Sequence, residues 1–345
     1  MTNRLSRLAR AARLSAPLVL GGMALPFGIS AANAQDAKPA PDKTSIWTLQ
    51  GENASISTAK LTDRFYTNGV RVGWTSGVGE VPDFLQRMGR ALWFGGDQRI
   101  SFDLTQQSYT PANTSTAASL PGDRPYAGVL MANFSLMQDT PTTRSSMTLG
   151  LGVVGPAALG EEVQNNFHDL IGQKRINGWS SQLHNEPLLQ ITSERVWRVK
   201  TGHVAGLETE ALPSLTAAVG NLRVYGQTGV VFRIGEGLES DFGPARLRPG
   251  LTGGDAYTPT RPFAWYIFAG AGGQAVAHDI TLDGNTWRTS PNVKRELFVG
   301  EVQAGFAIMY HGVRLTYTHV IQTEQYHHQP GGLHQFGSLA ASVRF

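Results

Sequence analysis

The chain has 345 residues, no cysteine, and 29 basic against 26 acidic residues. Without cysteine it can contain neither a disulfide framework nor a thiolate metal site. Four of the arginines lie in residues 1–34, so removing that segment leaves 25 basic and 26 acidic residues and a net charge of −1. This balance implies no nucleic-acid partner.

The first 34 residues have the pattern of an export signal. A basic region precedes the apolar stretch 14–29, which is too short and too interrupted by Pro and Gly to span a bilayer. Ala32-Asn33-Ala34 is a small-x-small cleavage site, so we predict a signal peptide over 1–34 and a short periplasmic leader over 35–45. No later apolar run approaches the ~20 residues of a transmembrane helix.

From residue 46 onward, strand-like segments recur between clusters of Gly, Pro, Asn and Asp. The predicted strands are 46–55, 66–76, 98–109, 125–137, 144–154, 187–199, 204–219, 222–235, 263–276, 294–310, 312–323 and 334–345. Their number is even, as single-chain outer-membrane barrels require, and aromatic residues cluster near strand ends as interface girdles do. The last strand alternates apolar and polar residues and ends on Phe345, which resembles the sorting strand of such barrels. We therefore predict an all-β, transmembrane antiparallel β-barrel over 46–345, in the outer membrane of a Gram-negative bacterium.

Strand order assigns each connection to one side of the membrane. With both termini periplasmic, the connections 56–65, 110–124 and 155–186 face outward, where barrel loops are longer. Connection 236–262 is also long but falls on the periplasmic side. A long periplasmic connection disagrees with the rule that outer loops are the longer ones. The number of strands therefore stays open, because one strand pair could be assigned wrongly.

The third outer loop carries the single helix that we predict in this chain. Over 155–172, a Gly-Pro start, two acidic residues near the positive end of the helix dipole and a stop at Gly172 frame an amphipathic segment. Gln164 and His168 lie four residues apart and therefore on a shared face. A helix in an otherwise β chain needs a reason, and holding a titratable imidazole over a site is one.

Three further polar segments fall at the same end of the predicted barrel. They are Glu52-Asn53-Ala54-Ser55, Thr62-Asp63-Arg64-Phe65-Tyr66-Thr67-Asn68-Gly69 and Gly122-Asp123-Arg124-Pro125-Tyr126-Ala127-Gly128. With the helix segment and GWSSQLHNEP at 178–187, they resemble the outer-membrane lipid A 3′-O-deacylase (LpxR-like) family in order and spacing over the mature chain. The resemblance implies a twelve-stranded barrel whose active site lies between the wall and the loop helix. It also implies calcium-dependent hydrolysis of the 3′-linked acyloxyacyl chain of lipid A.

The resemblance also implies roles for individual residues. His168 corresponds to the general base that activates water, and Asn53 and Thr67 to polar residues that position a Ca²⁺ ion, the water or the oxyanion. The implied partner is lipid A or lipopolysaccharide of the outer leaflet, acted on by a monomer. Residues expected to contact the substrate are Gln164, Arg124 and Tyr66. Residues expected to fix the loops and the rim are Asp63, Arg64, Asn68, Gly69, Asp123, Pro125, Tyr126 and Gly128.

The sequence departs from the family pattern at two site positions. Ala54 stands where the family usually has an Asp, and Lys174 where an acidic residue can occur, so a calcium site would lose a carboxylate. Asp63 or Asp169 could compensate. Three functions therefore stay open: an active deacylase, a family member that binds lipid A or acts structurally without catalysis, and a porin-like channel through a polar lumen.

Overall fold

The computed structural model describes residues 42–56, 64–244 and 256–345. In these ranges one antiparallel sheet contains thirteen strands. They are β1 (Ile46–Asn53), β2 (Phe65–Thr75), β3 (Asp97–Thr110), β4 (Ala127–Asp139), β5 (Thr143–Val154), β6 (Glu186–Trp197), β7 (Val199–Val204), β8 (Leu207–Gly220), β9 (Arg223–Glu236), β10 (Phe263–Asp279), β11 (Phe298–Tyr310), β12 (Val313–Gln322) and β13 (His334–Arg344). The helices are α1 (Asp83–Trp93), α2 (Gly160–Ile171) and α3 (Ile280–Asp283).

Two pairings close the sheet into a barrel of twelve strands. The first strand pairs with the last, from Ile46 opposite Arg344 onward, and β6 pairs with β8. The predicted barrel fold is thereby confirmed. The sequence predicts a simple turn between strands 187–199 and 204–219, and here the structure differs, because β7 forms a short additional strand that pairs with β8.

Side chains alternate between the two faces of the wall, as the pleat requires. In β1, Trp47 and Leu49 are exposed, whereas Thr48 and Gln50 are buried. An apolar outer surface and a polar interior are the arrangement of a barrel whose wall faces lipid. Among the described residues, no helix is long and apolar enough to cross a membrane.

The lengths of the connections distinguish the two ends of the barrel. At the end where Asp42 and Phe345 lie, the connections 140–142, 205–206 and 311–312 are short, and the exceptions are 76–96 and 237–262. At the other end, 111–126, 155–185 and 280–297 are long, and the exception is 221–222. Short periplasmic turns and long outer loops are typical of outer-membrane barrels, so the termini lie on the periplasmic side. Helix α2 lies in the third outer loop, as the sequence predicts.

The described parts of the long periplasmic connection 237–262 pack into the inner end of the lumen. Its Asp241 is fully buried, pairs with Arg233 and Arg314, and accepts a hydrogen bond from the Tyr266 hydroxyl at 2.9 Å. Arg233 also pairs with Glu210. We call these five residues the inner charge cluster. Successive connections therefore do alternate between the two sides of the membrane. The long periplasmic connection packs into the barrel, which resolves the doubt about the number of strands.

The carboxyl of Asp241 is held ionised by its two arginine partners. Burial raises its pKa, but the charges of Arg233 and Arg314 outweigh burial and lower the pKa to about 2. Asp241 lies in the connection and not in a strand, so the cluster joins a loop to the inner faces of β9 and β12. This pairing fixes the connection inside the barrel.

The prediction of a single helix is wrong, because α1 occupies the periplasmic connection between β2 and β3. The predicted signal peptide and most of the leader lie outside the described residues. Asp42, near the end of the predicted leader, is already fixed to the barrel by ion pairs with Arg99 and Arg344, at 3.1 and 2.6 Å. The folded part of the chain therefore includes at least the last residues of that leader.

We expect Asp241→Asn to lower the stability of the barrel by about 3–5 kcal/mol near neutral pH, because it leaves buried arginines without a counter-charge. The folded pKa of Asp241, about 2, lies below its ordinary value of 3.8. Its contribution is therefore present above pH 3.8 and lost as the pH falls through 2, so the difference from wild type should shrink in that range. Urea titrations scored by heat-dependent gel mobility measure both effects.

The matched control is Glu239→Gln, which neutralises an exposed carboxylate in the same connection. We expect it to change stability by no more than about 0.5 kcal/mol. Equal stability losses in the two variants at neutral pH would contradict a supporting role for the inner charge cluster.

Candidate functional site

A row of polar and small residues crosses the outer ends of β1 to β4. Cross-strand pairing places Asn53 opposite Asn68, Asn68 opposite Ser108, and Ser108 opposite Gly128. Direct partners in a sheet point to the same face, with about 5 Å between neighbours. Two residues below Asn68, Val70 is exposed on the lipid-facing side. The row, which we call the outer polar row, therefore lies on the outside of the wall.

Thr67 joins this row through a β-bulge. The register of β2 against β3 shifts between Tyr66 and Asn68, so Thr67 is the additional residue. Its hydroxyl is buried and hydrogen-bonded to the hydroxyl of Thr110 at 2.6 Å. The structure therefore brings Asn53 and Thr67, two of the predicted site residues, to the outer polar row.

Helix α2 packs onto the same outer face of the wall. A Cβ atom at Gly160 would lie 3.0 Å from the Cα of Gly128 and 2.7 Å from the ring of Trp179. Glycine at both positions therefore permits a close approach of helix and strand. The helix contacts β3 as well as β4 and ends at Gly172, which adopts the left-handed conformation that a helix stop requires. The predicted stop is thereby confirmed.

His168 lies near the end of α2 and is almost fully buried, with 4% of its surface exposed. Its Nδ1 lies 2.7 Å from the backbone carbonyl oxygen of Lys174. Because a carbonyl can only accept, Nδ1 carries the proton and the lone pair of the neutral ring is on Nε2. The returning loop therefore fixes both the orientation and the tautomer of this imidazole.

Gln164 lies one turn before His168 and is oriented by a tryptophan. The indole nitrogen of Trp179 donates to Gln164 Oε1 at 2.9 Å, which directs the amide nitrogen away from the indole. In the described part of the chain, this buried Nε2 has no hydrogen-bond partner. An unsatisfied buried donor costs about 1–3 kcal/mol, so such a group suggests a ligand.

Trp179 was missed as a site residue by the sequence analysis, although its motif was recognised. It is fully buried against the ring of Tyr126, with 5.2 Å between ring centroids. The sequence contains one signal that could have identified Trp179, namely Gly178 directly before it. A bulky aromatic residue next to a glycine in a loop indicates close packing. The polar residues Ser108 and Thr110 were also missed. Both point outward from β3. They follow the exposed apolar residues of that face, such as Phe102, towards the outer end of the strand.

Tyr66 and Arg124 lie on the other side of the wall. The Tyr66 hydroxyl donates to Glu52 at 2.8 Å, and the Arg124 guanidinium stacks over the ring of Tyr109 at 4.7 Å. These buried groups belong to the lumen at its outer mouth. The structure does not bring them together with His168, so their predicted contact with substrate stays a prediction without support from this arrangement.

The other predicted motif residues that the structure describes stabilise the loops or form part of the strands. Asp123 accepts hydrogen bonds from the backbone of Ala112 and Asn113 and from the Tyr326 hydroxyl. The guanidinium of Arg64 lies over the Phe65 ring. Residues within or next to the strands are Gly69, Pro125, Tyr126 and Gly128. Asp63 lies outside the described residues.

The oxygen atoms beside the outer polar row are of the type that binds a hard cation, but they carry no negative charge. Asn53 Oδ1 accepts from the backbone and hydroxyl of Ser55, and Asn68 Oδ1 is buried with no partner in the described ranges. Those ranges contain no group of three His, Asp or Glu side chains that could hold a metal ion. Neutral oxygen ligands fit calcium, although a site without carboxylates binds it more weakly.

The proposed compensation for the missing carboxylate has no structural support from Asp169. This residue pairs with Arg175 at 2.6 Å on the exposed side of the loop. Their contact lowers the pKa of Asp169, because the Arg175 guanidinium donates to its carboxylate. Ala54 is fully buried next to Asn53. Asp169 is therefore already paired, and the residue that follows Asn53 in the described chain is a buried alanine.

Comparison with known proteins gives a consistent picture. The family described as outer membrane protein LpxR matches residues 19–345. The solved structure of LpxR from Salmonella typhimurium matches with a TM-score of 0.70 and 22% identity, over 87% of this chain and all of that one. The translocator domain of the autotransporter NalP from Neisseria meningitidis matches with a TM-score of 0.42 and 11% identity, over 90% of each chain. No curated protein matches.

We expect Gly160→Ala to loosen α2 from the wall, although alanine is the better helix former by about 1 kcal/mol. The added Cβ would meet the Trp179 ring and Gly128, and overpacking of this kind costs about 1–3 kcal/mol. Trypsin cleavage after Lys174 or Arg175 should then accelerate about tenfold with the barrel intact, because cleavage requires local opening.

Gly51→Ala is the matched control, because a Cβ there has no heavy atom within 4 Å. It should leave the cleavage rate unchanged. An unchanged rate in Gly160→Ala as well would show that the close approach of α2 to β4 does not hold the loop in place.

Proposed function

The chain belongs to the outer membrane protein LpxR family, and we propose from this premise that it is an esterase of the outer membrane. It would hydrolyse the 3′-linked acyloxyacyl chain of lipid A. The observation that carries the proposal is the tautomer of His168, whose Nδ1 donates to a backbone carbonyl and whose Nε2 carries the lone pair. A buried histidine with this tautomer, on a helix that packs against the polar outer end of the lipid-facing wall, is suited to hydrolysis of a lipid ester.

His168 acts as the general base in this proposal. Nε2 removes a proton from a water molecule while the water oxygen attacks the ester carbonyl. The resulting imidazolium is stabilised by its bond to the Lys174 carbonyl and by the negative end of the α2 dipole, since His168 lies in the last turn of the helix. The proton then passes to the departing alkoxide oxygen.

Gln164 supplies a hydrogen bond to the oxyanion that forms during attack. Its Nε2 is buried and available, and its orientation is set by the bond from Trp179. A donor that is fixed before the reaction is worth more than one that must reorient, which is the principle of an oxyanion hole. Gln164 and His168 share a face of α2, so one helix supplies both groups.

A calcium ion would be held by neutral oxygens of Asn53, Thr67 and Asn68 in this proposal. When bound, such an ion polarises the ester oxygen and stabilises developing negative charge. The structural observation that supports an oxygen ligand here is the buried Oδ1 of Asn68, which has no hydrogen-bond partner among the described residues. Because these ligands carry no charge, we expect the ion to bind weakly.

The substrate approaches from the leaflet and not through the lumen. Exposed apolar side chains flank α2 at both ends: Leu159 precedes the helix, and Leu170, which is 82% exposed, and Ile171 end it. These side chains can contact acyl chains in the outer leaflet. The porin-like alternative is not favoured, because the inner charge cluster occupies the periplasmic end of the lumen.

A second function is favoured by one specific observation. The resemblance implies an acidic residue at position 54, where this chain has a buried alanine, and the described ranges contain no group of three His, Asp or Glu side chains that could hold a metal ion. A family member without a charged calcium ligand could bind lipid A at the outer polar row and α2 without hydrolysing it. The two functions use the same site and differ in whether the bound lipid A is hydrolysed.

We expect His168→Ala to reduce deacylation by about 10²–10⁴-fold, because it removes the general base. The measurement is mass spectrometry of lipid A from cells that express the chain, in which activity appears as loss of an acyloxyacyl group. The matched control is His203→Ala, which removes an exposed histidine from β7 at the other end of the barrel.

Full activity in His168→Ala would overturn the proposed mechanism. An unchanged lipid A spectrum with the wild-type protein, shown to be folded in the outer membrane, would favour the lipid-binding function instead.

Ala54→Asp should increase deacylation at low calcium concentration, because it adds a carboxylate beside Asn53. It should also lower thermal stability when calcium is removed by a chelator, since the carboxylate would then be buried without a partner. The control is Ala54→Asn, which has nearly the same size and no charge. Identical calcium dependence in both variants would contradict a cation site at this position.

A further inference from the structure

Helix α1 packs on the lipid-facing side of the barrel wall near its periplasmic end. Val81 and Leu85 contact Leu136 of β4. Leu136 is paired with Ile100, and the next outward pair along the same strands is Phe102 with Phe134, both exposed. The helix therefore lies on the outer surface of β3 and β4, the two strands that carry α2 at their other end.

Two buried amide side chains fix α1 in this position. Gln98 donates to Gln138 at 2.7 Å, and Gln138 donates to the backbone carbonyl of Gly95 at 2.9 Å. Gln98 also donates to the carbonyl of Gln86 within α1. At outward positions these amides would otherwise face lipid, where an unsatisfied polar group is costly. The helix covers them, so it is an integral part of the wall surface.

One flank of α1 presents an apolar stripe that the wall does not cover. Phe84, Met88 and Leu92 follow each other at intervals of four residues, and Phe84 is 62% exposed. Just beyond the helix, Phe94 is 91% exposed and adopts a left-handed conformation with φ of 72°. A positive φ is unfavourable for a bulky residue, so the backbone conformation that directs this exposed ring outward costs conformational free energy.

The third flank of the helix is basic. Arg87 and Arg90 are exposed, and at about 100° per residue they project away from both the wall contact and the apolar stripe. The helix thus has one side against protein, one apolar side and one cationic side. Within the described residues, no other element covers the apolar or the cationic side, and Arg90 donates to Gln86 of the same helix at 3.2 Å.

We propose that α1 binds the periplasmic leaflet of the outer membrane, with anionic phospholipid as its partner. Phe84, Met88 and Leu92 insert at the boundary between headgroups and acyl chains, and Arg87 and Arg90 contact phosphate groups. Two observations select a lipid surface as the partner. The stripe continues the lipid-facing wall of β3 and β4, and the cationic flank complements anionic headgroups.

The spacing of the two helices along β4 agrees with this assignment. Gly128 lies beneath α2, and Leu136 lies beneath α1, eight residues further along the strand. At about 3.4 Å per residue this separation is about 27 Å, or about 21 Å across the membrane at a tilt of about 40°. The apolar band of an outer-membrane barrel is about 25 Å tall, so the helices lie near its two edges.

Spin labelling tests the placement of α1, because the chain contains no cysteine and any introduced one is unique. Met88→Cys and Arg87→Cys would each be labelled with a nitroxide in the purified barrel, reconstituted in vesicles of equal parts phosphatidylethanolamine and phosphatidylglycerol. We expect the label at 88 to collide preferentially with oxygen, which partitions into lipid. The label at 87 should collide preferentially with a water-soluble nickel chelate.

Each other outcome overturns the proposal. If the chelate reaches both labels equally, the stripe faces water. If both reagents are excluded from the label at 88, a second copy of the chain covers the stripe.

The cationic flank is tested by the lipid that stays bound to the purified barrel. In an Arg87→Gln, Arg90→Gln double variant we expect the retained ratio of phosphatidylglycerol to phosphatidylethanolamine to fall about fivefold for each arginine. The control is Lys200→Gln, which removes an exposed cation from β7 at the same end of the barrel. An equal ratio in both variants, measured on barrels with native gel mobility, would overturn the role of the two arginines.

Discussion

Closure of the strand ladder is the constraint on which the rest of this structure depends. In a membrane every backbone amide of the wall must find a partner within the sheet, and the pairing of β1 with β13 and of β6 with β8 leaves no open edge there. A closed wall has two faces, and strand parity assigns each side chain to one of them. Asn53 and Glu52 are neighbours in sequence, yet one belongs to the outer polar row and the other to the lumen.

The wall thereby separates two kinds of polar chemistry. Inside, charged side chains are packed against each other and join a periplasmic connection to the strands through Asp241. Outside, the candidate site is made of neutral polar groups on the wall and of His168 on α2. The interior can be filled because the substrate that we propose reaches the site from the leaflet. The same arrangement leaves the strands β3 and β4 with a helix at each end of their lipid-facing surface.

The barrel, most of its strands, α2 and its stop at Gly172 were predictable, because each follows from a local period or a local stop signal. The face of the wall on which a residue lies was harder to predict. In a regular strand Tyr66 and Asn68 would share a face, but the bulge at Thr67 directs the first inward and the second outward. Helix α1 was missed although its apolar and charged residues recur at helical spacing. Its end carries no glycine stop, because Phe94 is the residue that adopts the left-handed conformation there.

The bond from His168 to the backbone of Lys174 has a consequence for how this site tolerates sequence change. A main-chain carbonyl is present whatever side chain occupies position 174, so the tautomer of the imidazole does not depend on the chemistry of that side chain. A change of side chain at this position can alter local charge without disturbing the tautomer of His168. A lysine at position 174 is thus compatible with the oriented imidazole, whereas the orientation of the ring depends on the path of the loop from Gly172 onward.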